Sequence, residues 1–269
     1  MAEARFRFYA ELNSFLAPAR RFTEFAHSFV DIATVKDRIE SFGVPHTEVD
    51  LILVNGEPVE FSRRVRDGDR VSVYPVFEAF DIAPVTRLRP EPLREPRFVL
   101  DAHLGRLAAY LRMLGFDSLY RNTYGDEELA RVSHEERRIL LTRDVGLLKR
   151  ASVTHGTFVR ATDARRQLAE IVGRFDLARL AAPFTRCLRC NGKLESVARD
   201  ALGADLPPRS AALHDRFARC PECGRVYWQG SHYRRMRELI GAVLGAGAPS
   251  ERLPQAGDAT QGPGELDGA

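Results

Sequence analysis

The chain predicts an α/β protein in two parts: a small strand, helix, hairpin, strand unit, then a parallel sheet with covering helices that carries a cysteine-rich ribbon. Three observations predict it. Two short apolar runs, Phe98-Val99-Leu100 and Ile139-Leu140-Leu141, are unbroken in the manner of strands buried on both faces. Each stops near an aspartate, Asp101 directly and Asp144 after Thr142 and Arg143. Helical patterns alternate with strand patterns from Phe98 to Phe175, as helices covering a parallel sheet require. All four cysteines lie in two CxxC pairs, Cys187/Cys190 and Cys220/Cys223.

Taken in order, Arg5 to Tyr9 alternate as a strand, with Leu12, Phe15 and Leu16 following. Val35, Ile39 and Phe42 stand at helical spacing, Thr34 and Asp37 match a capping pattern, and Gly43 ends the helix. Asn55-Gly56 between apolar residues is a hairpin signal, and the Asp-Gly-Asp at 67 to 69 turns into a last strand. These elements make a β-grasp unit. Their order, with VKDRIESFGVPHTEVDLILVNG and DGDRVSVYP, resembles the ubiquitin-like small sulfur-carrier fold over residues 3 to 80. Sulfur carriers of that fold end in a Gly-Gly whose carboxylate is activated. Here the chain continues through Phe77, Glu78, Ala79 and Phe80, so the resemblance implies the fold and a docking role toward a protein partner, without sulfur chemistry.

Pro84, Pro90, Pro92 and Pro96 among charges read as a semi-rigid linker. Beyond it, FVLD leads into a helical run of Leu104, Leu107, Ala108 and Leu111 closed by Gly115. A strand at FDSLYR, a helix from GDEELARV, the strand RILLT, a helix through GLLKR, a strand at TFVRAT and a helix from ARRQLAEIVGRF follow. After Phe184 come the cysteine knuckles, an insertion with Pro207 and Pro208, and a basic closing segment VYWQGSHYRRMRELI. The tail, rich in Gly, Pro, Ala and acids, has too little apolar surface to fold.

At 269 residues and 44% hydrophobic composition the chain is long enough for two cored domains. No apolar run is long enough to span a bilayer, and the first fifteen residues carry acids where a secretory signal has an apolar stretch. A cytoplasmic location with no membrane partner is expected. A net charge of +3 argues for nucleic acid only if it is clustered. Lys36, Lys149 and Lys193 are the only lysines, and arginine suits bidentate phosphate contacts, although an even spread of arginines is also what codon bias produces.

The double CxxC is the most specific chemical signal. Each pair supplies two thiolates from one turn, and two such turns form the closed tetrahedral set of a structural zinc. The 29 residues between the pairs, 191 to 219, exceed the compact ribbon spacing, so the insertion loops out. Disulfides are disfavoured in a reducing compartment and leave the paired spacing unexplained. The acidic residues are less specific. Asp101, Asp126, Asp144 and Asp163 each precede a predicted helix, where an aspartate can simply cap N–H groups. Capping does not require convergence, however, and at least Asp101 and Asp144 should meet on the carboxyl edge of the sheet, where open α/β sheets bind ligands. Two carboxylates about 4 Å apart repel by roughly 4 kcal/mol at an effective dielectric of 20, which a divalent cation or a shared proton offsets.

FVLDAHLGRLAAYLRMLGFD, YGDEELA, RILLTRDVGLL, the double CxxC and VYWQGSHYRRM together resemble the Mut-seven C-terminal ribonuclease family over residues 97 to about 240. The resemblance implies a PIN-like nuclease domain with an embedded zinc ribbon, often preceded by a β-grasp domain. It implies metal-dependent cleavage of RNA, with Asp101, Asp126 and Asp144 matching the acidic motifs, Glu127 as the alternate to Asp126, and Asp163 matching weakly. Asp101, Asp126 and Asp144 would then hold Mg2+ or Mn2+, and zinc would be structural. Arg106 and Arg143, near Asp101 and Asp144, are candidates to contact a scissile phosphate, whereas Arg112 reads as well as a solvated helix face. Trp228, His232 and Arg234 form an aromatic and basic group able to stack a base and hold phosphate of single-stranded or structured RNA. Trp228 serves equally well packed under the zinc site. His103, His134, His155 and His214 are scattered as surface or core histidines usually are.

The expected division is a ubiquitin-like β-grasp domain at 1–80, a Pro-rich linker at 81–96, a PIN-like nuclease domain at 97–183, a zinc ribbon and closing segment at 184–240, and a disordered tail at 241–269. Two functions remain open on these residues. One is a metal-dependent ribonuclease. The other is a non-catalytic RNA- or protein-binding module whose aspartates only cap helices.

Overall fold

The structure is a computed structural model, and it describes residues 1–75, 88, 96–202 and 214–245. Most of the expected linker, the Pro207-Pro208 insertion and the tail beyond Gly245 lie outside the described residues. The chain forms two compact units. One comprises Met1–Gly105 with Tyr120–Thr162, and the other Arg106–Leu119 with Asp163–Ala269.

The first unit begins with β1 (Ala2–Phe8), β2 (Glu24–Phe29), α1 (Val35–Ser41), β3 (Val49–Val54), β4 (Glu57–Pro58) and β5 (Arg70–Pro75). The sheet order is β2-β1-β5-β3-β4, with β1 parallel to β5 and the other pairs antiparallel. This is the expected β-grasp, with one strand that the sequence reading passed over. β2 reads EFAHSF, and Ala, His and Ser weaken its alternation, yet it pairs with β1 from Ala2↔Phe29 to Arg7↔Glu24.

Local signals account for the turns. The Thr34 hydroxyl accepts from the Asp37 N–H while the Asp37 carboxylate accepts from the Thr34 N–H, a reciprocal capping box at the start of α1. Asn55 and Gly56 both have positive φ, 54° and 89°, as a two-residue hairpin turn demands. Phe6, Phe8, Leu12, Val35, Ile39, Ile52, Val71 and Val73 fill the core. Burial of each of the larger side chains is worth about 1.5–3 kcal/mol.

The same unit carries β6 (Phe98–Leu100), α3 (Asp126–Glu135), β8 (Ile139–Thr142), α4 (Val145–Leu148) and β9 (Gly156–Phe158). With β7 (Ser118–Tyr120) the sheet order is β7-β6-β8-β9, and β6, β8 and β9 run parallel. Helix α3 packs on β6 and β8, and α4 on β8 and β9. Leu100 pairs with Leu141, which brings Asp101 level with Thr142 at the carboxyl edge. The runs FVL and ILLT are buried throughout, which explains their unbroken apolar character.

The β-grasp, read from sequence as a docking module, makes contacts of its own on this sheet. Glu48 Oε1 accepts from the Phe158 N–H at 2.6 Å and Oε2 pairs with the Arg160 guanidinium at 3.2 Å. His46 Nε2 reaches the Val153 carbonyl at 2.9 Å, Lys149 Nζ donates to the Glu40 carbonyl, and the rings of Phe15 and Phe158 meet edge to face.

The second unit holds α2 (Gly105–Met113) from Arg106 onward, α5 (Ala164–Arg174), a three-stranded antiparallel ribbon of β10 (Glu195–Val197), β11 (Phe217–Arg219) and β12 (Val226–Trp228), and α6 (Ser231–Leu244). α6 runs to Leu244, past the expected start of the tail. Two residues past α2, at Gly115, φ is 94° and an added Cβ would stand 2.2 Å from the Ala182 carbonyl oxygen. That close approach lets Ala182 and Phe184 donate to the Leu114 and Met113 carbonyls. Among the described residues the ribbon's apolar cluster is Leu202 and Phe217 with Val197, Val226 and Trp228 at its margin.

Candidate active site and metal centre

The acidic edge is built by two strand exits joined through one hydroxyl. Thr142, fully buried as the last residue of β8, donates from Oγ1 to Asp101 Oδ2 at 2.6 Å. The same Oγ1 accepts from the Asp144 N–H at 2.9 Å. Asp101 and Asp144 are thus fixed to neighbouring strand ends. Beside them the Tyr120 hydroxyl donates to the Ala102 carbonyl at 2.9 Å, and Tyr120 fits only because residue 105 is glycine: a Cβ there would lie 2.7 Å from its ring.

The capping question divides the four aspartates. Asp144 Oδ1 accepts from the Gly146 and Leu147 N–H groups, and Asp163 Oδ1 from those of Arg165 and Arg166, so both cap helices. Asp101 precedes a 3-10 turn without capping it, and Asp126 opens α3 behind the N-cap Gly125, also without a side-chain cap. Asp126 is exposed and lies 3.8 Å from Arg150, and Glu127 is exposed beside it. Among the described residues, Asp101 Oδ1 and Asp144 Oδ2 take no hydrogen bond. The structure therefore aligns Asp101 with Asp144 but does not gather Asp101, Asp126 and Asp144 into one ligand shell.

Of the basic residues, Arg106 is exposed on the first turn of α2. Arg143 Nη1 donates to the carbonyls of Val159, Arg160 and Ala161, so the guanidinium holds the exit of β9. Arg112, expected at least as much on a solvated face, is buried: Nε donates to the Ser118 carbonyl and Nη1 to those of Leu188 and Arg189. The helical pattern placed it beside the apolar stripe, and carbonyls far along the chain drew it in.

The cysteines do converge. Among the described residues they form the one group of three or more His, Cys, Asp or Glu side chains placed to hold an ion, with all four sulfurs within 4.8 Å of one another. Cys187 Sγ is 3.5 Å from Cys223 Sγ, and Cys190 Sγ 3.3 Å from Cys220 Sγ, which leaves all four as free thiols. Tetrahedral zinc with bonds of about 2.3 Å separates its sulfurs by about 3.8 Å, so the set fits that ion. Both knuckles use the same turn. Asn191 N–H donates to the Cys187 carbonyl and Gly224 N–H to the Cys220 carbonyl, and Asn191 and Gly224 have φ of 77° and 72°.

The surroundings favour the thiolate at Cys187. The Tyr227 hydroxyl accepts from the Leu188 N–H at 3.1 Å and lies 3.2 Å from Cys187 Sγ, within hydrogen-bond reach. Burial pushes the Cys187 thiol up, but the bonds from Tyr227 and from the Cys190 and Arg189 N–H groups outweigh it and lower the thiol to about 6. Burial pushes Cys190 and Cys220 up instead. For Arg112 burial opposes the charge while Cys187 and Cys190 favour it. Asn191 completes the anchorage, accepting from the Ser118 N–H and donating to Asp117. Sequence reading found the cysteines and missed Tyr227, Asn191 and Thr142. The Asn191-Gly192 turn signal was available for one of them.

Trp228 is half-buried against the Phe217 cluster, across from Phe217 in the ribbon. Neighbouring strand residues face opposite sides, so Tyr227 and not Trp228 lies under the sulfurs. His232 and Arg234 are exposed on α6, whereas Tyr233 is buried against Phe184 with ring centroids 4.4 Å apart.

A parallel sheet with an aspartate pair at its carboxyl edge, joined in one chain to a four-cysteine ribbon, defines an α/β protein with a candidate metal centre. The Mut7-C RNAse domain model matches residues 96–240, more than half of the chain, and the Mut7-C ubiquitin model matches residues 1–81. The chain therefore belongs to the Mut7-C RNase family and carries its ubiquitin-like domain in front. No curated protein and no solved structure matches it. Among the described residues no helix is long and apolar enough to cross a membrane.

Proposed function

We propose that this protein is a metal-dependent ribonuclease that hydrolyses RNA phosphodiesters at the acidic edge. The observation that carries the reading is the Thr142 bridge, which holds the Asp101 carboxylate against the Asp144 backbone while one oxygen of each aspartate takes no hydrogen bond among the described residues. A residue that only capped a helix would need no such link. Asp101 and Asp144, with Asp126 or its alternate Glu127, would hold Mg2+ or Mn2+, an ion that needs only one or two carboxylates beside water and substrate phosphate. Such an ion, when bound, supplies Lewis acidity and an acidified water. Asp163 serves α5 as its cap. Arg106 offers a cation to the phosphate, and Arg143, anchored on three carbonyls, contributes its field and the shape of the loop.

Zinc in the four-cysteine site has a structural task, and Trp228, His232 and Arg234 on the ribbon and α6 offer a stacking and phosphate-binding face for single-stranded or structured RNA. Free thiols fit a reducing cytoplasm. The binding-module alternative draws on one observation, that Asp144 Oδ1 is already engaged in capping.

End-labelled single-stranded RNA with Mn2+, with and without chelator, separates the two. Asp144→Asn keeps an oxygen for the Gly146 and Leu147 N–H groups, so the melting temperature should hold while cleavage falls about 100- to 1,000-fold. Cleavage that survives thorough chelation, or that persists in an Asp101→Asn, Asp144→Asn double variant, would overturn the reading.

A further inference from the structure

β9 is the edge strand of the parallel sheet, and its outward N–H at Phe158 is taken by a carboxylate of the ubiquitin-like domain instead of a further strand. That carboxylate, Glu48, has no exposed side-chain surface. Burying a charge pair adds little net stability compared with apolar packing, and in some proteins its return is a fixed geometry. Here the geometry lies one step from the acidic edge. Glu48 holds Phe158 and Arg160, the carbonyls of Val159, Arg160 and Ala161 converge on Arg143 Nη1, and Arg143 stands between Thr142 and Asp144. Arg160 is held from a second side as well, its guanidinium lying over the Phe15 ring of the ubiquitin-like domain at 5.2 Å.

We propose that Glu48 is a positioning residue through which the ubiquitin-like domain sets the acidic edge, acting by way of the 158–161 segment and Arg143. The proposal rests on the nuclease reading. The ubiquitin-like domain is then a working part of the site in cis, and displacing its Glu48 face would loosen the metal-binding aspartates.

His46 supplies the control. It joins the same two folds through Glu40 and the Val153 carbonyl, but its contact falls before β9 and does not reach the 158–161 segment. The full-length protein is compared with Glu48→Gln and His46→Leu, well below their melting temperatures, for RNA cleavage against Mn2+ concentration and for direct Mn2+ binding by calorimetry. Glu48→Gln should lower kcat about 10- to 100-fold, the range that a small misplacement of reacting groups costs, and raise the half-saturating Mn2+ severalfold with KM for RNA unchanged. His46→Leu should lower the melting temperature and leave kcat and the Mn2+ dependence alone. If Glu48→Gln does not fold, Arg160→Lys, which keeps the charge and loses the planar fork, carries the same expectation.

Wild-type Mn2+ dependence in Glu48→Gln, or identical effects of the two variants, would overturn the proposal. A wild type that binds Mn2+ without cleaving RNA would sink the nuclease reading alone, and weaker Mn2+ binding in Glu48→Gln would then still support the positioning role. A wild type that binds no Mn2+ would overturn both.

Discussion

Replacing Thr142 by valine removes a single oxygen from a fully buried position, and that oxygen is what joins Asp101 to Asp144. The bond to the Asp101 carboxylate is charge-assisted and worth about 1.5–3 kcal/mol, and leaving the Asp144 N–H unpaired costs about 1–3 kcal/mol if no water reaches it. Asp101 is half-buried and Asp144 exposed, so water recovers part of both, and the added methyl returns about 0.8 kcal/mol of apolar burial. The net loss should be about 2 kcal/mol, or about 4–8 °C in Tm for a unit of this size. Thr142→Ser keeps the hydroxyl and gives up one buried methyl, so it should lose about 1 kcal/mol and retain cleavage. Urea and thermal melts of the two variants, paired with RNA cleavage under saturating Mn2+, make the measurement. Equal stability of wild type and Thr142→Val would refute the bridge. So would a serine variant as damaged as the valine one, because size and not the hydroxyl would then be what matters.

Two further outcomes concern the ribbon. Elemental analysis should find one zinc per chain in the wild type and none in Cys220→Ser, and a full zinc content in that variant would remove Cys220 from the site. Arg112→Met fills the same space without the donors that hold the Leu188 and Arg189 carbonyls, so zinc affinity measured by competition with a chromophoric chelator should fall about 10- to 100-fold. An affinity within twofold of wild type would show that the first knuckle is shaped without Arg112.

What the chain order alone determined was local. The two apolar runs announced buried parallel strands because burial on both faces leaves no position for a polar residue. Asn55-Gly56, Thr34 with Asp37, and Gly115 announced their turns because each supplies a dihedral or a bond that the backbone needs there. Both cysteine pairs were legible for the same reason, since each knuckle is one turn of chain. The tertiary structure decided which side chains those elements share. It sorted four similar aspartates into two caps and two that do not cap, a distinction that depends on where one oxygen points. It turned Arg112 inward toward carbonyls 76 and 77 residues away, and it set Tyr227 against Cys187 across 40 residues. It also placed Glu48 on the edge of a sheet whose nearest strand begins more than a hundred residues later. Periodicity states which face of an element is buried, and only the neighbouring strand, fixed by the register of the whole sheet, states what that face meets.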